Sequence, residues 1–139
     1  MPDSAASPVA EAIYALFQDA TLQAATPGGW HDDVPQAATL PVGWIEIVDE
    51  RDVRGFGTGG LPEVEIRTHV WSQFGGMAEA QTANRLAISL LKDAALTVTG
   101  YAMCGHVFYR DTVTLPDELL GGVKVHEIVS RFTLFVEES

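Results

Sequence analysis

The sequence predicts an α+β domain: a mostly antiparallel sheet of four to five strands with two helices packed on one face, in the order α-β-β-(β)-α-β-β. Three observations carry this. Residues 76–93 place Met77, Ala80, Ala83, Ala87, Leu90 and Leu91 in an apolar stripe at helical spacing, with Glu79 early and Lys92 late. Residues 63–71 alternate, with Val64, Ile66 and Val70 on one face and Glu63, Glu65, Arg67 and His69 on the other. Residues 101–115 and 123–137 are two long β-rich runs, separated by Pro116-Asp117-Glu118-Leu119-Leu120-Gly121-Gly122 as a hairpin tip. Helices that do not strictly alternate with strands favour an antiparallel sheet covered on one face.

In chain order, the first seven residues are small and polar and are expected to be frayed. Ser7-Pro8 is a helix-start signal, and Val9, Ile13, Leu16, Phe17 and Ala20 recur at helical spacing, so a helix is expected over 8–19. Leu22 and Ala24-Ala25 add a further turn, and Pro27-Gly28-Gly29 ends it. Trp30 to Pro35 is expected as a short edge strand, because proline removes a ladder donor. Val42 to Val48 is a clearer strand, with Val42, Trp44, Glu46 and Val48 opposed to Ile45 and Ile47. Residues 49–60 are charged, then glycine-rich, and read as a long loop. The last run changes phase between Val125 and Ile128, which a β-bulge near His126-Glu127 would reconcile.

One ordinary domain is expected over 1–139, long enough to bury roughly two-thirds of its unfolded surface. No apolar run approaches the roughly 20 residues that span a bilayer. The first residues lack the basic and apolar regions of a secretory leader, so the chain is expected to start out in the cytoplasm. Cys104 is the only cysteine, which excludes an intrachain disulfide, and it reads as a buried, inert thiol. A net charge of −11 argues against a protein that clamps nucleic acid, since that affinity rests on Lys and Arg. It is compatible with DNA sliding past an acidic wall, or with solubility alone.

Chemistry-bearing patterns fail in their contexts. Gly55, Gly57 and Gly60 match a dinucleotide fingerprint, but Pro62 and a strand follow where a helix is required. His31-Asp32-Asp33 offers only His31 and Asp33 to one side of an extended segment, and a metal would need a further ligand such as His69, His106 or His126. Ser72, Ser89, Ser130 and Cys104 lack nucleophile contexts. Glu63 and Glu65 share a face, but Arg67 and His69 continue the row as a charged surface. No catalytic, metal or cofactor-binding residues are assigned, and no cofactor is expected. What remains is surface for partners: Phe56 in the glycine loop, Trp71 at a strand end, and Leu119 and Leu120 at the hairpin tip. Each either folds back on its own domain or meets a partner; together they favour an interface.

Several features jointly resemble the phage tail completion, or tail terminator, family. They are the segment Asp32-Asp33-Val34-Pro35, the strand ending His69-Val70-Trp71-Ser72 that runs through a glycine turn into 79–91, and the final strand Val129-Ser130-Arg131-Phe132-Thr133-Leu134-Phe135-Val136. The sequence departs from the expected pattern at Leu119-Leu120. The resemblance implies a virion protein, found also in prophages and gene transfer agents, that forms a ring, usually hexameric, on the head-proximal end of the tail tube. It would stop tube polymerisation there, having been assembled in the host cytoplasm. Its implied partners are sister subunits, the major tail tube protein and a head–tail connector (stopper) protein, with DNA passing through the channel without specific binding and no membrane involved. The interface residues expected from position and chemistry are Arg51, Arg54, Phe56, Leu119 and Leu120. The rival readings are a connector adaptor or stopper, or a metal- or ligand-binding domain using His31, Asp33 and a further histidine.

Overall fold

The computed structural model describes residues 6–31, 39–52, 62–73, 77–103, 105–120 and 123–138, with the backbone alone for residues 6, 49–52, 62, 116–120, 123–124 and 138. Its elements are helices α1 (Ala6–Leu16), α2 (Ala20–Ala25) and α3 (Met77–Leu91), and strands β1 (Trp30–His31), β2 (Val42–Asp52), β3 (Pro62–Gln73), β4 (Tyr101–Met103), β5 (Phe108–Leu120) and β6 (Val123–Glu138). The α+β class holds. Among the described residues the sheet is mixed and six-stranded, rather than one of four or five strands, and it carries three helices instead of two.

The first helix is two helices because Asp19 caps a new one. Its Oδ2 accepts the backbone N–H groups of Thr21 and Leu22 at 3.1 Å each, satisfying donors that a continuous helix would have paired internally. At its end, the Thr26 N–H donates back to Leu22, and Gly29 turns the chain with a φ of +81°. Helix α3 stops where Asp93 takes a φ of 62°, so Lys92 falls just beyond it.

The central order is β1-β2-β3-β6-β4, and β5 also pairs with β6. β1 runs parallel to β2, whereas β2–β3, β3–β6, β4–β6 and β5–β6 are antiparallel. The expected edge strand is therefore present over Trp30–His31 but in parallel pairing; residues 32–35 lie outside the described residues. β2 continues through Asp52, where a loop from residue 49 is expected, because Asp49 to Asp52 pair with Glu65 to Pro62. The run 101–115 is broken in two. Between its halves Gly105 takes a φ of +90°, and Val107 exchanges backbone hydrogen bonds with Asp93 and Ala94 beyond α3 instead of with the sheet. The irregularities lie on β5, between Tyr109 and Asp111 and again between Leu115 and Glu118, and not on β6, whose register with β3 is unbroken from Val125 to Phe135. The extra residue of the second lets an outer strand accept Pro116, which has no N–H to donate.

The helices cover one face. Val9 and Ile13 of α1, Phe17 just beyond it, Leu22 of α2, and Ala80, Ala83, Ala87 and Leu91 of α3 are buried with Ile45, Val64, Ile66, Val70, Ile128, Phe132 and Leu134. The small residues of α3 let its backbone lie close to the sheet. Asn84 interrupts that stripe and is nonetheless buried, because the Ser130 hydroxyl donates to its Oδ1 at 2.6 Å.

Where β1 crosses β2, the Trp30 indole fills the space a side chain would need at Gly43. A Cβ there would meet the ring at 2.5 Å. The ring cannot retreat easily, since it packs edge-on against Phe17 at 4.7 Å and its N–H donates to Thr26 Oγ1 at 3.0 Å. Gly43→Ala is therefore expected to cost about 1–3 kcal/mol by overpacking. A lower urea midpoint at unchanged slope would register it, and an unchanged midpoint would mean the indole relaxes freely.

Candidate interaction surface

The face of the sheet away from the helices is set by register. Val42, Trp71 and Glu127 stand opposite one another, then Trp44, His69 and Val129, then Glu46, Arg67 and Arg131. β5 extends these rows with Leu115, Val113 and Asp111. The first row closes a second small core of Val42, Trp71 and Val125, with Leu40 and Trp44 packed against it. This explains why β6 changes phase. Val125 serves this core, while Ile128, Phe132 and Leu134 serve the helix side.

His69 is expected on a solvated face but is 8% exposed. Its Nδ1 lies 2.8 Å from Glu127 Oε2, and its Nε2 lies 2.9 Å from Glu46 Oε1. The Trp71 indole N–H donates to the same Glu127 oxygen at 2.7 Å. Trp44 lies flat on the imidazole, with ring centroids 3.9 Å apart and planes at 11°. Burial would raise the Glu127 carboxyl, but the hydrogen bonds from His69 and Trp71, with the charge of His69, outweigh it and hold the group below its usual range. One row further, Arg131 grips Asp111 through two nitrogens, and that hydrogen bonding lowers the Asp111 carboxyl and raises the guanidinium.

Chemically, the hydrogen-bonding groups of His69, Trp71 and Glu127 are committed to one another, whereas the buried Trp44 Nε1–H has no hydrogen-bond partner among the described residues. Both nitrogens of His69 are engaged, and Glu127 Oε2 already accepts two donors. Ser72 follows Trp71 in an alternating strand and so faces the helix side, fully buried. The arrangement cross-links three strands. Trp71 accordingly folds into its own domain, which resolves one of the two readings open for it.

The outer part of this face is different. On β5, Phe108 is 45% and Val113 46% exposed. Phe108 meets Phe135 edge-on at 6.2 Å beside a shallow hollow of about 390 Å³ lined also by Glu63, Arg110 and Asp111. Of the interface residues expected from sequence, Arg51 lies in β2 opposite Glu63, in the strand and not in a loop. Leu119 and Leu120 lie in the β5 ladder opposite Lys124 and Val123, in the strand and not at a loop tip. Arg54, Phe56, Asp33 and Cys104 lie outside the described residues. His31 stands on the exposed side of β1 with its Nε2 2.9 Å from the Gly28 carbonyl oxygen, beside Glu11 and Tyr14. Among the described residues, no three His, Cys, Asp or Glu side chains converge as a metal site, and no helix is long and apolar enough to cross a membrane. Sequence reasoning missed Glu46 and Glu127. The signal available was parity alone, with acids and aromatics at matching positions of three strands.

The described residues thus combine an α+β sheet, a buried polar cluster on the face away from the helices, and exposed apolar groups on an outer strand. Residues 11–137 match the family described as tail completion protein gp17, and the chain belongs to that family of structural tail proteins of phage-type virions. No curated protein sequence matches it. Its fold is similar to that of a chain in a solved structure described as the virion of a native gene transfer agent (GTA) particle. That likeness has a TM-score of 0.76 and 19% identity over 98% of this chain and 99% of that one.

Proposed function

We propose that this chain forms a ring on the head-proximal end of a tail tube, stops tube polymerisation there, and presents the surface that joins the tail to the head connector. Membership of the tail completion family over residues 11–137 carries this reading. The exposed Phe108 and Val113 on an outer strand support it, because such groups are covered when subunits meet. Ring closure would also hide ladder edges that otherwise invite uncontrolled pairing. Arg51, Arg54, Phe56, Leu119 and Leu120 are the proposed contacts to sister subunits, tube or connector. The charge of −11 suits a channel that DNA traverses without being held.

Light scattering of the purified chain, alone and with tail tube ends, tests the ring. A mass near six times the 15.0 kDa of one chain is the expected result in at least one condition. Deleting the gene in a producing strain tests the role: tails of uncontrolled length and unattached heads are expected. Tails of normal length joined to heads would overturn it.

A further inference from the structure

The polar cluster under Trp44 has a property that a static cross-link lacks. A neutral imidazole carries one proton, so it can donate through one nitrogen only. Both nitrogens of His69 face carboxylate oxygens, at 2.8 and 2.9 Å. With both carboxylates ionised, the two contacts are simultaneously favourable only when the ring carries two protons. Other charges on this face are engaged elsewhere among the described side chains. Arg67 of β3 pairs with Glu65 at 3.5 Å, and Arg131 of β6 pairs with Asp111 of β5. The charges that face the ring are therefore Glu46 from β2 and Glu127 from β6.

We propose that His69 is a proton-operated clasp that ties β2 to β6 across β3, closed when the imidazole is doubly protonated and released from β2 when one proton leaves. The two ends are unequal. Glu127 is nearly enclosed, with 7% of its side chain exposed, and Trp71 also holds it; Glu46 is 37% exposed and has water available. The remaining proton therefore stays on Nδ1, toward Glu127. A lone pair then faces Glu46, whose carboxylate turns to solvent, and Trp44 loses the cation it covers. This clasp operates within one chain and does not depend on ring formation.

Nitrogen-15 NMR of the His69 ring in the wild-type protein, followed from about pH 5 to about pH 9, reads the proton count directly. Hydrogen exchange of the β2 amides is measured across the same range. The expected result is two protonated nitrogens at the acid end and, as one proton leaves, several-fold faster exchange in β2 with a change in tryptophan fluorescence. In Glu46→Gln, a conservative change at a part-exposed position, the exchange step should vanish while Nδ1 remains protonated. A ring with a single proton throughout would overturn the clasp. So would an exchange step that Glu46→Gln leaves in place.

Discussion

Glu127→Ala is expected to destabilise the fold by about 3–5 kcal/mol, the range for removing one member of a buried, hydrogen-bonded pair. The loss is large because of what stays behind. His69 and Trp71 each keep a nitrogen aimed at the vacated position, and both residues are under 10% exposed. Each buried group left without a partner costs roughly 1–3 kcal/mol. Glu127→Gln keeps the shape and one acceptor, so it should cost clearly less. Chemical denaturation of the two variants beside the wild type checks this. Equal, small losses would show that water reaches the site and replaces the carboxylate. The same carboxylate sets an acid limit. Its folded value lies below the ordinary 4.5, so its contribution is present above that value and is lost as pH falls through the folded one. The melting temperature of the wild type should therefore drop on acidification more steeply than that of Glu127→Gln.

How much of this was legible beforehand follows from where each determinant lies along the chain. Periodicity within α3 and alternation within β3 are local, so the stripe from Ala80 to Leu91 and the burial of Val64, Ile66 and Val70 could be read directly. The junction from Trp71 into α3 is also local, and it carried the family resemblance. Asp19 is equally local: the expected helix over 8–19 ends on it, and a side-chain acceptor before a fresh apolar turn is a cap. The remaining differences come from pairing. Pro116 and the residues after it resemble a turn until β6 is laid beside them, when the bulge after Leu115 absorbs the irregularity. His69 looked solvated because its own strand is polar at alternate positions. Its burial is created by Glu46, 23 residues earlier, and Glu127, 58 residues later. A single-strand pattern contains neither the register nor the order of the strands, so it cannot place those three on adjacent rows of one face.

Phe132→Ala is expected to match Glu127→Ala in size, at about 3–5 kcal/mol, through a different physical term. Phe132 stands on β6, fully buried on the helix side, in register with Ile66 of β3 on one side and Tyr109 of β5 on the other. Its ring meets that of Tyr109 at 5.6 Å, so the side chain joins the outer hairpin strand to the sheet centre. Truncation removes apolar contact and leaves a cavity that neighbouring β-sheet backbone, fixed by ladders on both sides, cannot close. Against a total of about 5–15 kcal/mol, this loss brings the chain near its unfolding threshold at physiological temperature. Phe132→Leu should recover more than half of it, because volume is largely kept. Urea denaturation distinguishes the two positions by their pH response. The penalty at Phe132 arises from packing and should be the same at about pH 4 and about pH 7, whereas the penalty at Glu127 should shrink toward the acid end as the wild type loses its own carboxylate. A pH-dependent loss at Phe132 would mean that the two faces of the sheet are energetically coupled through β6.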